Sequence, residues 1–178
     1  MRWVAPILSF TAHEIWQVLP KTSAESVFLT EWYDGLATLP ENQGQSMLSR
    51  DYWQQVMAVK TAVNKEIEEA RNRKEVGSGL SAEVTLYAAP ELKTLLAELG
   101  DELRFVLITS AATLLDESSE GQATDVVGLR VKVTASTHTK CTRCWHYRAD
   151  VGRHATHPDI CLRCVDNVAG HGEVRYFA

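Results

Sequence analysis

The sequence lacks several features that would each indicate a particular class of protein. No apolar run reaches the roughly eighteen residues that a membrane-spanning helix needs, so we expect no membrane contact. The apolar start of the chain contains an arginine and a proline and has no cleavage site of the kind found in signal peptides. The formal net charge is −5, which restricts any contact with nucleic acid to local basic patches.

Cysteine is also scarce, and all four cysteines lie in one window near the end of the chain, from Cys141 to Cys164. Disulfide-stabilised domains distribute their bridges along a small chain, and a chain without an export signal is expected in the reducing cytoplasm. Hydrophobic residues make up 45% of the 178 residues, which suits one ordinary domain or two small ones. We interpret the chain as a piece of a longer protein, with Met1 as an added start.

Apolar residues recur at helical spacing in the first part of the chain. The pattern predicts a helix over residues 5–19 and a stronger one over residues 51–75, which the glycines at 77–79 would end. Prolines and glycines interrupt residues 21–46, which are expected to form a long connection. We therefore predict that the first 76 residues are all helical.

The periodicity changes after residue 80. Alternating apolar residues predict strands at 83–88 and 128–135, with a further strand at 111–116. Short helices are expected to begin at Pro90 and after a capping Asp101, and the acidic residues 116–125 are expected to form a loop.

These patterns predict a mainly α fold with a small α+β unit. It would combine a fragment of a helical bundle, a small mixed sheet and a C-terminal zinc ribbon or knuckle held by four cysteines. The predicted domains are 1–80 for the helical part, 81–137 for the α+β junction unit and 138–178 for the zinc-binding tail.

The four cysteines form two Cys-x-x-Cys pairs separated by sixteen residues. Each pair brings two sulfurs close enough to bind one ion, and two pairs complete a tetrahedron of thiolates. Since protein side chains would fill all four coordination positions, the zinc ion would be structural. Its binding would stabilise a tail with few apolar residues. The predicted zinc ligands are Cys141, Cys144, Cys161 and Cys164.

Other interpretations of this spacing stay open. Disulfides disagree with a reducing compartment, whereas a rubredoxin-like iron site for electron transfer uses the same four ligands. Such iron-binding knuckles usually have a glycine after each pair, and here Trp145 and Val165 occupy those positions. A histidine could also replace one cysteine, because five of the six histidines follow residue 137.

The tail is mildly basic, with six cations against four acids between Lys140 and Arg175. Flat rings beside guanidinium groups are the groups on which single-stranded RNA bases stack, although Trp145 could instead pack against the zinc loops. Arginines at matching positions in the two pairs could contact phosphates or offset the negative charge of the metal site. A second basic cluster ends the long helix, where the helix dipole favours cations in any case. The candidate RNA-binding residues are Arg143, Trp145, His146, Arg148, Arg163, Arg71, Arg73 and Lys74.

Four stretches together resemble the C-terminal part of bacterial isoleucyl-tRNA synthetases, in order and over nearly the whole chain. They are "RWVAPILSFTAHEIWQVLP", "VNKEIEEARNRKEVGSGLSAEVTLYA", "LGDELRFVLITSAAT" and "KCTRCWHYRADVG" with its continuation "HPDICLRCVDNVAGHGE". The zinc tail, with Trp-His-Tyr after the second cysteine, is the most specific of these. Related class I aminoacyl-tRNA synthetases share the sequences of the helical stretches.

The resemblance implies a role in protein biosynthesis. Enzymes of this family are ligases that attach isoleucine to its tRNA at the expense of ATP. Their C-terminal helical bundle grips the anticodon stem, and a terminal zinc module reaches the anticodon loop. The match implies that the four cysteines bind zinc and that Arg143 and Trp145 meet nucleotides of the anticodon loop.

The catalytic signatures of the family, a His-x-Gly-His motif and a Lys-Met-Ser-Lys-Ser loop, are absent from the sequence. We therefore expect a cytoplasmic, monomeric, tRNA-binding fragment that is inactive alone, with ATP bound only by the missing catalytic domain. Its partners would be the anticodon stem-loop of isoleucine tRNA and the rest of the synthetase. The alternative is a zinc-stabilised protein–protein docking module without direct RNA readout.

Overall fold

The computed structural model describes residues 1–20, 24–37 and 49–177. The chain forms two compact units, Met1–Leu39 and Pro40–Ala178. The long connection predicted at residues 21–46 lies partly outside the described residues. The three predicted domain boundaries stay a prediction.

The first unit contains helix α1 (Ser9–Val18) and a 3-10 turn at Val27–Leu29. Buried Trp16 joins the two elements, because its indole Nε1 donates a hydrogen bond of 2.8 Å to the carbonyl oxygen of Ala24. The predicted first helix is confirmed, although it begins four residues later than the periodicity indicated.

Helix α2 (Arg50–Asn72) opens the second unit. The Ser49 hydroxyl caps it by accepting a hydrogen bond from the Tyr52 backbone N–H at 3.1 Å. One face of α2 is buried, and it includes the apolar stripe on which the prediction of this helix rested. The buried residues are Tyr52, Val56, Val59, Ala62, Val63, Ile67 and Ala70.

The predicted stop of α2 at the glycines of 77–79 is wrong. Lys74 takes the left-handed conformation, with φ of 61°, directly after the helix. The Glu75 N–H then donates to the Ala70 carbonyl and the Lys74 N–H to the Arg71 carbonyl, both at 2.9 Å. This pattern is a Schellman motif that satisfies the last carbonyls before any glycine is reached.

A four-stranded mixed sheet forms the centre of the second unit, in the order β2–β1–β4–β3. Strand β1 pairs in parallel with β2 and antiparallel with β4, which in turn pairs antiparallel with β3. The acidic loop predicted at 116–125 therefore includes one short strand that the sequence did not indicate. The strands are β1 (Ala82–Ala88), β2 (Ala111–Asp116), β3 (Gln122–Ala123) and β4 (Leu129–Ala135).

Two short helices, α3 (Pro90–Ala97) and α4 (Leu103–Leu107), connect the parallel strands β1 and β2. Such a pair of strands needs a crossover, which these helices supply. The predicted helix near Asp101 is confirmed, but its capping role is wrong. The Asp101 carboxylate instead accepts from the Arg104 guanidinium, with Nη2 at 2.8 Å.

The hydrophobic core lies where α2, α3 and α4 cover the sheet. Leu86 of β1, Leu96 of α3 and Val63 of α2 are each completely buried there. This continuous apolar layer makes α2 part of the same packed body as the sheet. We call residues 49–135 the sheet unit.

The C-terminal part contains the hairpin of β5 (Thr139–Lys140) and β6 (Tyr147–Arg148), followed by helix α5 (Leu162–Ala169). We call residues 138–177 the tail module. Its helix was not predicted, because the two cysteine pairs indicated only a metal-binding ribbon or knuckle in this stretch. The predicted combination of helices, a small mixed sheet and a C-terminal four-cysteine cluster is confirmed. None of the helices in the described part of the chain has the length and apolar character needed to cross a bilayer.

Candidate metal centre and nucleic-acid interface

The four cysteines converge in the tail module from two separate elements. Cys141 and Cys144 lie in the turn of the β5–β6 hairpin, whereas Cys161 immediately precedes α5 and Cys164 lies within it. All four sulfurs lie within 4.8 Å of one another. Three of the cysteines are buried and Cys144 is half-buried, and none forms a disulfide.

The sulfur positions fit one tetrahedral ion. Zinc–sulfur bonds of about 2.3 Å place the thiolates of a tetrahedral site about 3.8 Å apart. The Cys144 and Cys161 sulfurs are 3.7 Å apart, and every other pair of sulfurs lies within 4.8 Å. The donor set of four thiols suits a structural zinc ion, which would hold the β5–β6 turn against the start of α5.

The environment of the thiols favours a bound cation. Burial raises the pKa of Cys141, but N–H groups of Cys144, Cys161 and Arg143 outweigh that effect and lower it to about 6. Burial raises the pKa of Cys161 to about 12, and the Cys144 thiol adds to this rise. Neighbouring thiols therefore do not readily ionise together, because the thiolates repel one another. A divalent cation bound between them would offset that repulsion.

Arg143 lies beside the metal centre and is exposed. Its Nη1 donates to the Cys164 sulfur at 3.6 Å. Four thiolates around one divalent ion leave two net negative charges, which this guanidinium partly offsets. Arg143 can therefore serve the metal site while its outer face remains open to a ligand.

Trp145 is exposed next to the same turn, with 59% of its surface accessible. Its backbone is left-handed, with φ of 65°, a conformation uncommon for any residue other than glycine. Its N–H closes the turn by donating to the Cys141 carbonyl at 3.0 Å. This is the position at which an iron-binding knuckle usually has glycine, whereas Val165 continues α5 and needs no such conformation.

Lys140 is a candidate contact that the sequence did not single out. Its ammonium nitrogen lies 5.4 Å from the centroid of the Trp145 ring. The residue immediately precedes the first cysteine, and its pairing with Tyr147 in the hairpin places it there. A hairpin around the first cysteine pair is the signal that could have indicated Lys140, because it brings the residue before the pair next to the residues after it.

His146 does not share the exposed surface of Trp145. It is 9% accessible and packs edge-on against the Phe105 ring, with centroids 5.7 Å apart. Its Nδ1 donates to the Cys144 carbonyl at 3.1 Å, since a carbonyl oxygen can only accept. Burial lowers its pKa, helped by the charge of Arg104, so the ring is neutral at physiological pH.

Arg148 and Arg163 are half-buried between the tail module and the sheet unit. Arg148 Nη1 lies 3.5 Å from the Ser110 carbonyl oxygen. Arg163 donates to Glu173 at 2.8 Å and lies 4.9 Å from the Phe105 centroid.

The second predicted cluster lies at the end of α2, outside the tail module. Its three cations are exposed there. Arg71 pairs with Glu68 at 2.7 Å, and Arg73 pairs with Glu75 at 2.9 Å. Two of the three cations therefore already have carboxylate partners.

Comparisons with known proteins agree with this geometry. Residues 1–86 match the family described as anticodon-binding domain of tRNA ligase, and residues 140–167 match a zinc finger found in FPG and IleRS. The isoleucine–tRNA ligase of Pseudomonas aeruginosa strain LESB58 is 58% identical over 181 aligned residues, which cover 100% of this chain and 19% of the relative.

The isoleucine–tRNA ligases of Pseudomonas putida strain GB-1 and Azotobacter vinelandii are 58% and 56% identical over the same shares of both chains. The chain thus spans about a fifth of the length of the curated relatives that it matches. Over its whole length it is similar to the C-terminal part of bacterial isoleucine–tRNA ligases, and the predicted resemblance is confirmed.

Proposed function

We propose that this chain, similar throughout to the C-terminal part of isoleucine–tRNA ligases, binds isoleucine tRNA through the anticodon stem-loop. The rest of such a ligase would supply ATP binding and the formation of isoleucyl-tRNA, and this chain alone would be inactive. In this proposal the chain acts as a monomeric part of a cytoplasmic enzyme. The match of residues 1–86 to an anticodon-binding domain supports tRNA as the ligand.

The observation that carries the proposal is the exposed Trp145 ring beside the four-cysteine centre. The left-handed backbone at Trp145 leaves the ring exposed, with the Lys140 ammonium 5.4 Å from its centroid. The Arg143 guanidinium lies on the neighbouring metal centre, against the Cys164 sulfur. An exposed flat ring flanked by cations can stack a nucleotide base and attract its phosphate at the same time.

The proposed contacts divide into two groups. Trp145 and Arg143 would meet anticodon bases and so carry specificity, whereas Lys140 and the cations ending α2 would contact phosphates and set position. His146, being buried, would support the loop that carries the ring. Arg148 and Arg163 would act mainly by holding the tail module on the sheet unit.

The exposed apolar side chains of the first unit support the rest of the synthetase as a second partner. Ile7, Phe10 and Trp32 are 82%, 87% and 65% exposed. In this proposal residues 1–80 are the end of a helical anticodon-binding domain, and these side chains pack against the part of that domain outside this chain.

A titration with RNA tests the proposal. The zinc-loaded chain is titrated with isoleucine tRNA and with the same tRNA carrying a swapped anticodon, at several salt concentrations. We expect tighter binding of the native anticodon and an affinity that falls steeply with salt. Equal binding of both tRNAs would remove the proposed base readout. No binding of either would favour a protein–protein docking module.

A further inference from the structure

We propose that Phe105 is a positioning residue that fixes the orientation of the tail module against the sheet unit. The inference rests on the proposed function only for its effect on RNA binding. Phe105 belongs to α4 of the sheet unit, whereas most of the groups that surround its ring belong to the tail module.

Three guanidinium groups lie over the Phe105 ring. The central carbons of Arg175, Arg104 and Arg163 are 3.9, 4.0 and 4.9 Å from the ring centroid. The ring face is electron-rich and attracts each of these cations. Two of the three arginines come from the tail module. Arg163 belongs to α5, and Arg175 belongs to residues 170–177, which we call the C-terminal segment.

Carboxylates make this crowding of cations possible. Asp101 pairs with Arg104, and Glu173 pairs with both Arg163 and Arg175, at 2.8 to 3.0 Å. Without these acids the three guanidinium groups would repel one another across one ring. The arrangement thus ties α4, α5 and the C-terminal segment together.

The backbone of the C-terminal segment adds to the attachment. The N–H groups of Tyr176 and Phe177 each donate to the Glu102 carboxylate at 2.7 Å. His146, from the loop that carries Trp145, packs edge-on against the same Phe105 ring. The hairpin loop, α5 and the C-terminal segment therefore all meet at this ring.

Phe105 is not needed for the hydrophobic core. It is half-buried, while its neighbours Leu103 and Leu107 are buried within the core. Its main contacts are the cations and the histidine around it. We conclude that the aromatic face of Phe105 serves to orient the tail module, and with it the surface formed by Lys140, Arg143 and Trp145.

Residual dipolar couplings of backbone amides test this orientation directly. In the zinc-loaded parent chain we expect one alignment tensor to fit both the strands of the sheet unit and the elements of the tail module. Phe105→Leu keeps apolar volume but removes the aromatic face, so two tensors should be needed. Phe105→Trp should restore a single tensor. Phe28→Leu, the same change at an exposed phenylalanine of the first unit, is the matched control.

Binding of an anticodon stem-loop RNA gives the second readout. We expect Phe105→Leu to weaken binding by roughly twofold to tenfold, about the effect of losing one or two cation–π contacts, with one zinc ion per chain retained. Phe105→Trp should bind like the parent. Arg175→Met removes one cation from outside the core, so the test remains available even if Phe105→Leu does not fold.

The two readouts separate this inference from the proposed function. A single unchanged tensor for Phe105→Leu and Arg175→Met would overturn the orienting role. Unchanged RNA affinity in a variant that needs two tensors would overturn its importance for RNA binding. A parent chain with one tensor but no RNA binding would refute the proposed function and leave the orienting role standing.

Discussion

The sheet unit and the tail module are each stabilised internally, but by different forces. The sheet unit buries large side chains such as Leu86, Leu96 and Val63 completely, and hydrophobic burial stabilises it. In the tail module the most deeply buried residues are Cys141, Cys161 and Cys164, and of the large apolar side chains only Val165 is buried beside them. A metal ion thus takes the place of a hydrophobic core.

This difference has a consequence for the surface of each region. A module that needs no large apolar interior can leave Trp145 exposed, since the ring is not needed for packing. The sheet unit instead buries most of its large apolar residues in its core. The comparison indicates that substitutions in one region should leave the stabilising force of the other intact.

The largest effect is expected for Cys161→Ser. Structural zinc sites contribute about 10–16 kcal/mol of apparent binding free energy in small zinc modules, so losing a ligand should unfold the tail module and release the ion. Amide signals of the sheet unit should persist in the same spectrum. The checks are zinc content and backbone NMR, with His154→Ala as a control that keeps the ion. Full zinc occupancy in Cys161→Ser would contradict the four-ligand site.

A large but smaller effect is expected for Leu86→Ala, in the middle of β1. The cavity left by this completely buried side chain should lower the free energy of unfolding by about 2–5 kcal/mol. Denaturant titration measures the loss, and zinc content should stay at one ion per chain. Leu115→Ala, at a position of β2 that is 42% exposed, should cost far less. Loss of zinc from the Leu86 variant would break the proposed independence of the two regions.

Trp145→Ala should affect binding but not folding. If the ring stacks a base, the variant should lose roughly 1–3 kcal/mol of RNA binding free energy. Because the ring is exposed, the free energy of unfolding and the zinc content of the variant should match those of the parent chain. Trp32→Ala removes an exposed indole from the first unit and serves as the control in the same RNA titration. Parent-like affinity with intact zinc would remove the stacking assignment.

The smallest effect at neutral pH is expected for Tyr52→Phe in α2. The phenol donates to the Leu95 carbonyl at 3.1 Å, and losing this bond should cost about 0.5–1.5 kcal/mol. Burial raises the pKa of Tyr52 to about 12, with Glu98 contributing. The stability that the protonated phenol contributes to the folded chain is therefore complete below about pH 10, the pKa of tyrosine in the unfolded chain. It is lost as the pH rises towards 12.

Stability measured by denaturant titration at several pH values checks this prediction. Between pH 10 and 12 the parent chain should lose stability more steeply than Tyr52→Phe, which has no phenol to ionise. Equal slopes would show that this phenol does not resist ionisation in the folded chain.

The elements predictable from sequence are those whose pattern depends on local neighbours. The apolar stripe of α2 and the alternation in β1 and β4 carried enough information to locate them. The end of α2 was missed because Lys74 adopts a conformation that sequence rules assign to glycine. Helix α5 was missed because it is only eight residues long and two cysteines at its start were assigned to the metal.

The candidate site was predictable in its ligands but not in its surroundings. The spacing of the cysteines indicated their convergence directly. His146 and Arg163 both contact Phe105, which lies about forty to sixty residues earlier in the chain. Contacts of that kind arise from tertiary packing, and no local pattern encodes them.

The left-handed backbone at Trp145 also bears on the thermodynamics of recognition. The turn fixes the direction of the Cα–Cβ bond before any ligand arrives, which leaves only the two side-chain torsions of the indole to be ordered. Little conformational entropy would therefore be lost on stacking of a base, as proposed for this ring. The turn therefore restricts the directions that the ring can take and keeps it on the outer surface of the tail module.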